Sequence, residues 1–212
     1  MFGDSLKEDT WRIFRIMAEF TEGFEKLNDI GPAVTVFGSA RTQPDNKYYQ
    51  EAVKLGGMLA HEGISVITGG GPGIMEAANK GAYEAKGRSI GLNIELPHEQ
   101  KPNPYLTDSI DFHYFFARKV MFVKYATAFV IFPGGYGTLD ELFESFTLIQ
   151  TQIIKPFPVI MVGREYWEGL IGWLEDTMLA RKNIDEVDLD FIIFAETAEE
   201  VTSIIKKHRE RS

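Results

Sequence analysis

The chain has 212 residues, room for one domain of ordinary size. Hydrophobic residues make up 44% and charged residues 25%, the proportions of a globular protein and not of a disordered tail or a fibrous repeat. With 22 basic against 31 acidic side chains the net charge is −9, which disfavours duplex nucleic acid and anionic membranes as partners, and the absence of cysteine excludes disulfides, a thiol nucleophile and cysteine-ligated metal.

The first residues show neither the basic nor the apolar segment of a secretory signal, and no apolar run approaches the ~20 residues of a membrane span, so the cytoplasm is the expected compartment. Helical spacing of Trp11, Phe14, Ile16, Met17, Phe20, Phe24 and Leu27 predicts a helix over 5–27, stopped by Gly31-Pro32. A strand over 33–37 ends in Gly38-Ser39, and a helix over 47–61 follows. A strand over 64–68 runs into Gly69-Gly70-Gly71-Pro72-Gly73 and a helix to about 85. The same alternation gives a strand over 89–96, a loop over 97–104, a strand over 110–115 and a helix over 117–125. Then come a strand over 128–132, the turn Pro133-Gly134-Gly135-Tyr136-Gly137 and a helix over 139–150. Strands over 157–162 and 191–194, with helices over 166–180 and 198–208, complete the series. Continuously apolar strands, each followed by an amphipathic helix, predict a doubly wound, mainly parallel α/β sheet of Rossmann type with helices on both faces. One domain over 1–212 is expected, with 1–30 as a helical extension packed on the domain or on a partner subunit.

In an open α/β sheet, ligands sit beyond the carboxyl ends of the strands. Two glycine elbows, 68–73 and 133–137, fall at such ends and lead into helices, whose N-terminal amides and dipole favour an anion. Tight strand-to-helix turns alone would also account for the glycines. Counting from Gly69, the dinucleotide fingerprint fails at Ile74, and no Walker-type lysine loop occurs. Thr138 can complete a phosphate cradle and Glu141, one turn on, can face the same cleft; Thr138 and Glu141 equally fit a capping box. Leu139, Leu142, Phe143, Phe146 and Ile149 form the apolar stripe of that helix, with Thr138, Glu141 and Ser145 on its flank. Arg118-Lys119 at a helix start opposes the helix dipole, a local inconsistency that marks either function or a surface ion pair. His61, His98, His113 and His208 show no metal-ligand spacing, Asp108 and Asp111 read as turn residues, and 102–104 reads as a surface loop or a lid.

The run Gly69 to Asn79, the pair Arg118-Lys119 and the segment Pro133-Gly134-Gly135-Tyr136-Gly137-Thr138-Leu139-Asp140-Glu141 together resemble the LOG family, cytokinin-activating phosphoribohydrolases long mislabelled lysine decarboxylases. The resemblance spans roughly 31–194, and Phe115-Phe116-Ala117 where short plant-like members carry Met-His, with the N-terminal extension, places it nearest a longer bacterial branch. It implies cleavage of the N-glycosidic bond of a purine nucleoside 5′-monophosphate, adenine-type and plain or N6-modified, to free base and ribose 5-phosphate. It implies Arg118 and Glu141 as the catalytic pair, and Ser39, Gly70, Gly71, Gly73, Glu76, Lys119, Gly134, Gly135, Gly137 and Thr138 as substrate- and phosphate-binding residues. No metal or other cofactor is implied, no pyridoxal-phosphate site is identifiable, and a homodimer or higher homo-oligomer is expected. Glycosidic cleavage passes through an oxocarbenium-like state that a carboxylate stabilises, or for which it activates water, and a guanidinium stays charged at any working pH. A non-catalytic protein holding a nucleotide or phosphate-bearing cofactor is the alternative, and an NAD(P)-binding protein a weaker one.

Overall fold

The computed structural model describes residues 6–95 and 101–210. The loop expected over 97–104 lies outside the described residues as far as 100. Among the described residues, seven parallel strands form one sheet in the order β4-β3-β2-β1-β5-β6-β7. They are β1 (Ala33–Phe37), β2 (Ser65–Thr68), β3 (Ser89–Ile94), β4 (Asp108–Phe112), β5 (Ala126–Ile131), β6 (Val159–Val162) and β7 (Ile192–Ala195). The helices are α1 (Leu6–Leu27), α2 (Lys47–His61), α3 (Ile74–Glu84), α4 (Phe115–Tyr125), α5 (Tyr136–Gln150), α6 (Arg164–Trp173) and α7 (Ala198–Arg209).

β1, β2 and β6 are buried along their whole length because both faces of the sheet are covered. Alternate residues serve two cores. Val34, Val36, Val66, Val130 and Ile160 pack beneath α2, α3 and α7, while Phe37, Ile67, Ile90, Phe129 and Met161 pack beneath α1, α4, α5 and α6. The chain winds outward from β1 to β4, then returns across the sheet to β5 and winds the other way to β7. The β1 and β5 ends therefore diverge, α2 leaving to one face and α5 to the other, and a crevice opens at this switch point.

Three expectations are corrected. The strand predicted over 110–115 ends at Phe112, and Phe115 and Phe116 belong to α4. Aromatic bulk favours strands in the abstract, but here Phe115 supplies the first helical turn. The helix predicted over 166–180 is α6 followed by a π-helical stretch, Leu174–Leu179. Asp108 and Asp111 are strand residues, and Asp108 pairs with Arg88 at 3.2 Å.

Candidate functional site

A cavity of about 840 Å³ occupies the switch point, walled by both glycine elbows, the loop after β1 and one side of α4 and α5. Its second elbow is open. α5 begins at Tyr136 with Gly135 as N-cap and no side-chain cap, so its first amides have no partner within the helix. Side chains built on Gly135 or Gly137 would meet nothing within 4 Å. A side chain on Gly134 would strike Thr138 and come to 3.0 Å from the Ser39 amide, which itself donates to the Pro133 carbonyl at 3.0 Å. Glycine at 134 thus permits the close approach of the β1 and β5 loops. The capping box read from Thr138 and Glu141 does not form, because the helix starts three residues earlier than expected and both side chains line the cavity.

The first elbow is largely committed to the fold. Gly70 adopts φ +70°, donates its N–H to Thr68 Oγ1 at 2.9 Å and accepts the Asn103 amide at 2.8 Å. Asn103 Nδ2 also reaches the carbonyls of Gly70 and Gly71, at 3.1 Å each, and Asn79 Oδ1 at 3.0 Å. Gly73 adopts φ +69°, and a side chain there would collide with the Ser39 carbonyl, which accepts the Ile74 amide at 3.0 Å. Gly70 and Gly71 line the cavity; Gly73 and Glu76 do not. Glu76 accepts the Tyr49 hydroxyl at 3.0 Å, and burial together with that bond pushes the Tyr49 phenol up to about 12.

Arg118 and Glu141, 141 − 118 = 23 residues apart in sequence, converge on one wall. Arg118 Nη2 lies 3.9 Å from Glu141 Oε1, an ion pair too long for a hydrogen bond. Both are inside the protein, with side chains 13% and 5% exposed. The guanidinium sits over the Phe115 and Phe122 rings at 5.1 and 5.3 Å, and its Nε has no hydrogen-bond partner. Burial pushes the Glu141 carboxyl up to about 7, against the opposing pull of Arg118 and Lys119. Burial also lowers the Arg118 guanidinium from its usual value, with Glu141 opposing.

Lys119 stands apart from this group. It pairs with Asp140 at 2.8 Å and Glu144 at 3.0 Å in a separate groove between α4 and α5. These bonds outweigh its desolvation and raise its pKa. Of the pair Arg118-Lys119, Lys119 thus forms these two ion pairs, while Arg118 lines the cavity. Sequence reasoning did not single out Arg41, Lys101 or Tyr166, which also line the cavity. Arg41 follows Ser39 beyond the end of β1, where the strand-end rule could have found it. Tyr166 reaches the site only through the fold, donating to the Gly134 carbonyl at 2.7 Å. Among the described residues no group of three or more His, Asp or Glu is arranged to hold a metal ion.

Residues 75–205 match a family described as "Possible lysine decarboxylase". A cytokinin riboside 5′-monophosphate phosphoribohydrolase of Arabidopsis thaliana is 27% identical over 184 residues, covering 82% of each chain. A bacterial protein of the same name, from Rhodococcoides fascians, is 28% identical over 148 residues, covering 68% of this chain and 74% of its own. Among solved structures, a molybdenum cofactor binding protein of Rippkaea orientalis superposes with TM-score 0.61 at 24% identity, over 83% of this chain and 96% of its own. The Moco carrier protein of Chlamydomonas reinhardtii does so with TM-score 0.61 at 22% identity, over 85% and 99%. At these identities the structural neighbours establish the shared fold, and the sequence match establishes the lineage: the chain belongs to the LOG family, the group that carries the lysine-decarboxylase description.

Proposed function

We propose that the protein hydrolyses the N-glycosidic bond of an adenine-type nucleoside 5′-monophosphate, releasing free base and ribose 5-phosphate. The observation that carries this reading is the meeting of Arg118 and Glu141 in a cavity that also exposes the uncapped start of α5. The 5′-phosphate docks on the α5 amides at Gly135, Tyr136 and Gly137, where helix dipole and unpaired N–H groups favour an anion. Arg41 and Lys101 add positive charge to the same cavity in a chain of net charge −9. As the C–N bond breaks, the base leaves with the electron pair and positive charge builds on the sugar. The ionised Glu141 offsets that charge and takes the proton of the water that adds to the anomeric carbon, and that proton passes on to the departing base, which is released neutral. Arg118 keeps a share of Glu141 ionised and donates to the nucleotide. The relatives named for cytokinin nucleotides support an N6-modified adenine among the substrates.

Incubation with AMP, followed by separation of adenine and ribose 5-phosphate, tests the proposal. Release of both in equal amounts is the expected result. Saturable AMP binding with no base released from any nucleotide supports the second reading, a binding protein, which the structural neighbours named for binding or carrying the molybdenum cofactor favour. We also propose that the chain works as a homo-oligomer in the cytoplasm. Supporting the oligomer, Trp11, Ile13, Phe14 and Met17 in the N-terminal half of α1 are each more than half exposed, an apolar surface that calls for a partner.

A further inference from the structure

We propose that Glu19, on the N-terminal helix, is a positioning residue for the candidate catalytic pair: it caps α4 from outside and so holds Arg118 against Glu141. This rests on the reading of the pair given above. α4 has no cap of its own. Its N-cap, Tyr114, makes no side-chain bond, and no acidic residue stands in its first turn. Two cations, Arg118 and Lys119, follow within its first two turns, where the helix dipole opposes them. Glu19 supplies what is missing. Its carboxylate accepts the His113 amide at 3.0 Å and the Tyr114 amide at 3.3 Å, and the residue is only 9% exposed. Four residues on, Gly23 lets α1 press onto α4, since a side chain there would come to 2.9 Å from Met121.

The guanidinium depends on this support. Arg118 Nε has no hydrogen-bond partner and the nearest carboxylate oxygen is 3.9 Å away, so ring packing and the helix backbone place it. The Arg118 amide bonds back at 3.3 Å to the carbonyl of Tyr114, the residue whose own N–H Glu19 accepts. A loosened first turn lets Arg118 drift from Glu141. Of the charges acting on Glu141, Lys119 on α4 is already tied to Asp140 and Glu144 on α5, while Arg41 and Lys101 line the cavity from other loops. Arg118 is therefore the one whose movement changes the ionisation of Glu141. His113 faces Glu19 at 3.4 Å and reaches Glu95 at 2.8 Å on its other side.

The test uses the full chain with Glu19→Ala and Glu19→Gln, read by amide hydrogen exchange over 113–118, by the pH profile of AMP cleavage and by thermal melting. In Glu19→Ala, exchange at the first turn of α4 rises about tenfold, the size expected for a lost cap. Turnover falls more than AMP binding, and the acid limb moves to higher pH as the Arg118 charge recedes from Glu141. Glu19→Gln keeps one acceptor oxygen and recovers part of all three. Faster exchange with an unmoved pH midpoint makes Glu19 a structural cap only and overturns the proposal, as does unchanged exchange. Should the alanine variant fail to fold, the glutamine variant decides: an intermediate upward shift supports the proposal and none overturns it. Should the native chain cleave no nucleotide, the proposed function fails separately. Glu19 is then judged by exchange and by the carboxyl titration of Glu141 followed by carbon NMR, with the same direction of shift.

Discussion

Glu141 combines a large desolvation penalty with an incompletely compensating cation, and both its chemistry and its effect on stability follow from that balance. Held up at about 7, the carboxyl is ionised mainly above neutrality, so base-assisted cleavage should rise with pH through about 7. An acid limb near 4 would remove Glu141 from the role of base. Replacing it with Gln should cost at least ~100-fold in turnover while leaving AMP binding in place, measured by initial rates and calorimetry. The same shift acts on folding. Because the folded-state pKa lies above that of the unfolded chain, the folded protein holds the extra proton between about 4.5 and 7, and stability falls as pH rises through that window. The loss is on the order of 3 kcal/mol once the group is ionised. Glu141→Gln should therefore melt several degrees higher than the native chain at pH 8 and about equally at pH 4. Equal melting temperatures at both pH values would show that burial of this carboxylate is not costly.

The two glycine elbows look alike in sequence and differ as structural elements. At the second, the α5 amides are uncapped and the glycines at 135 and 137 face open space. Gly135→Ala should fold normally, since its φ of −92° suits any residue, yet raise the KM for AMP by obstructing the amide cradle. An unchanged KM would move the phosphate elsewhere. At the first elbow, the amide of Gly70 is spent on Thr68 and Gly73 is pressed against the Ser39 carbonyl. Gly73→Ala should accordingly lower stability by about 2 kcal/mol or more, through its positive φ and the collision, as seen in urea unfolding. Sequence periodicity found both elbows because strand, glycine and helix follow one another in each. It could not distinguish them, because the groups that occupy the first, Asn103 and Ser39, come from other loops.

On the scale of the whole molecule, the fold carries an apolar surface it does not bury. α1 packs its later turns against α4 through Glu19, Gly23 and Leu27, while Trp11 and Phe14 stay 67% and 57% exposed. If a second copy covers this face, light scattering should give at least twice the chain mass of 24.0 kDa, and Trp11→Glu should shift the distribution toward the single chain without altering circular dichroism. A native chain that is monomeric at every concentration would assign the face to another partner.

The alternation of apolar strands and amphipathic helices was enough to determine a doubly wound parallel sheet, because period and burial are local properties that such a sheet imposes on every segment. The motifs at 118 and 133–141 likewise identified the lineage. Distances between segments were not legible in the same way. That Arg118 meets Glu141 while its neighbour Lys119 turns to Asp140 and Glu144 depends on how α4 crosses α5. On the flank of α5 the polar Thr138, Glu141 and Ser145 are buried, while Leu139, Phe143 and Phe146 of the apolar stripe are only partly so. Helical periodicity sorts residues by polarity, whereas burial follows what a neighbouring element covers. At a cavity wall the two diverge, and only the packed structure decides between them.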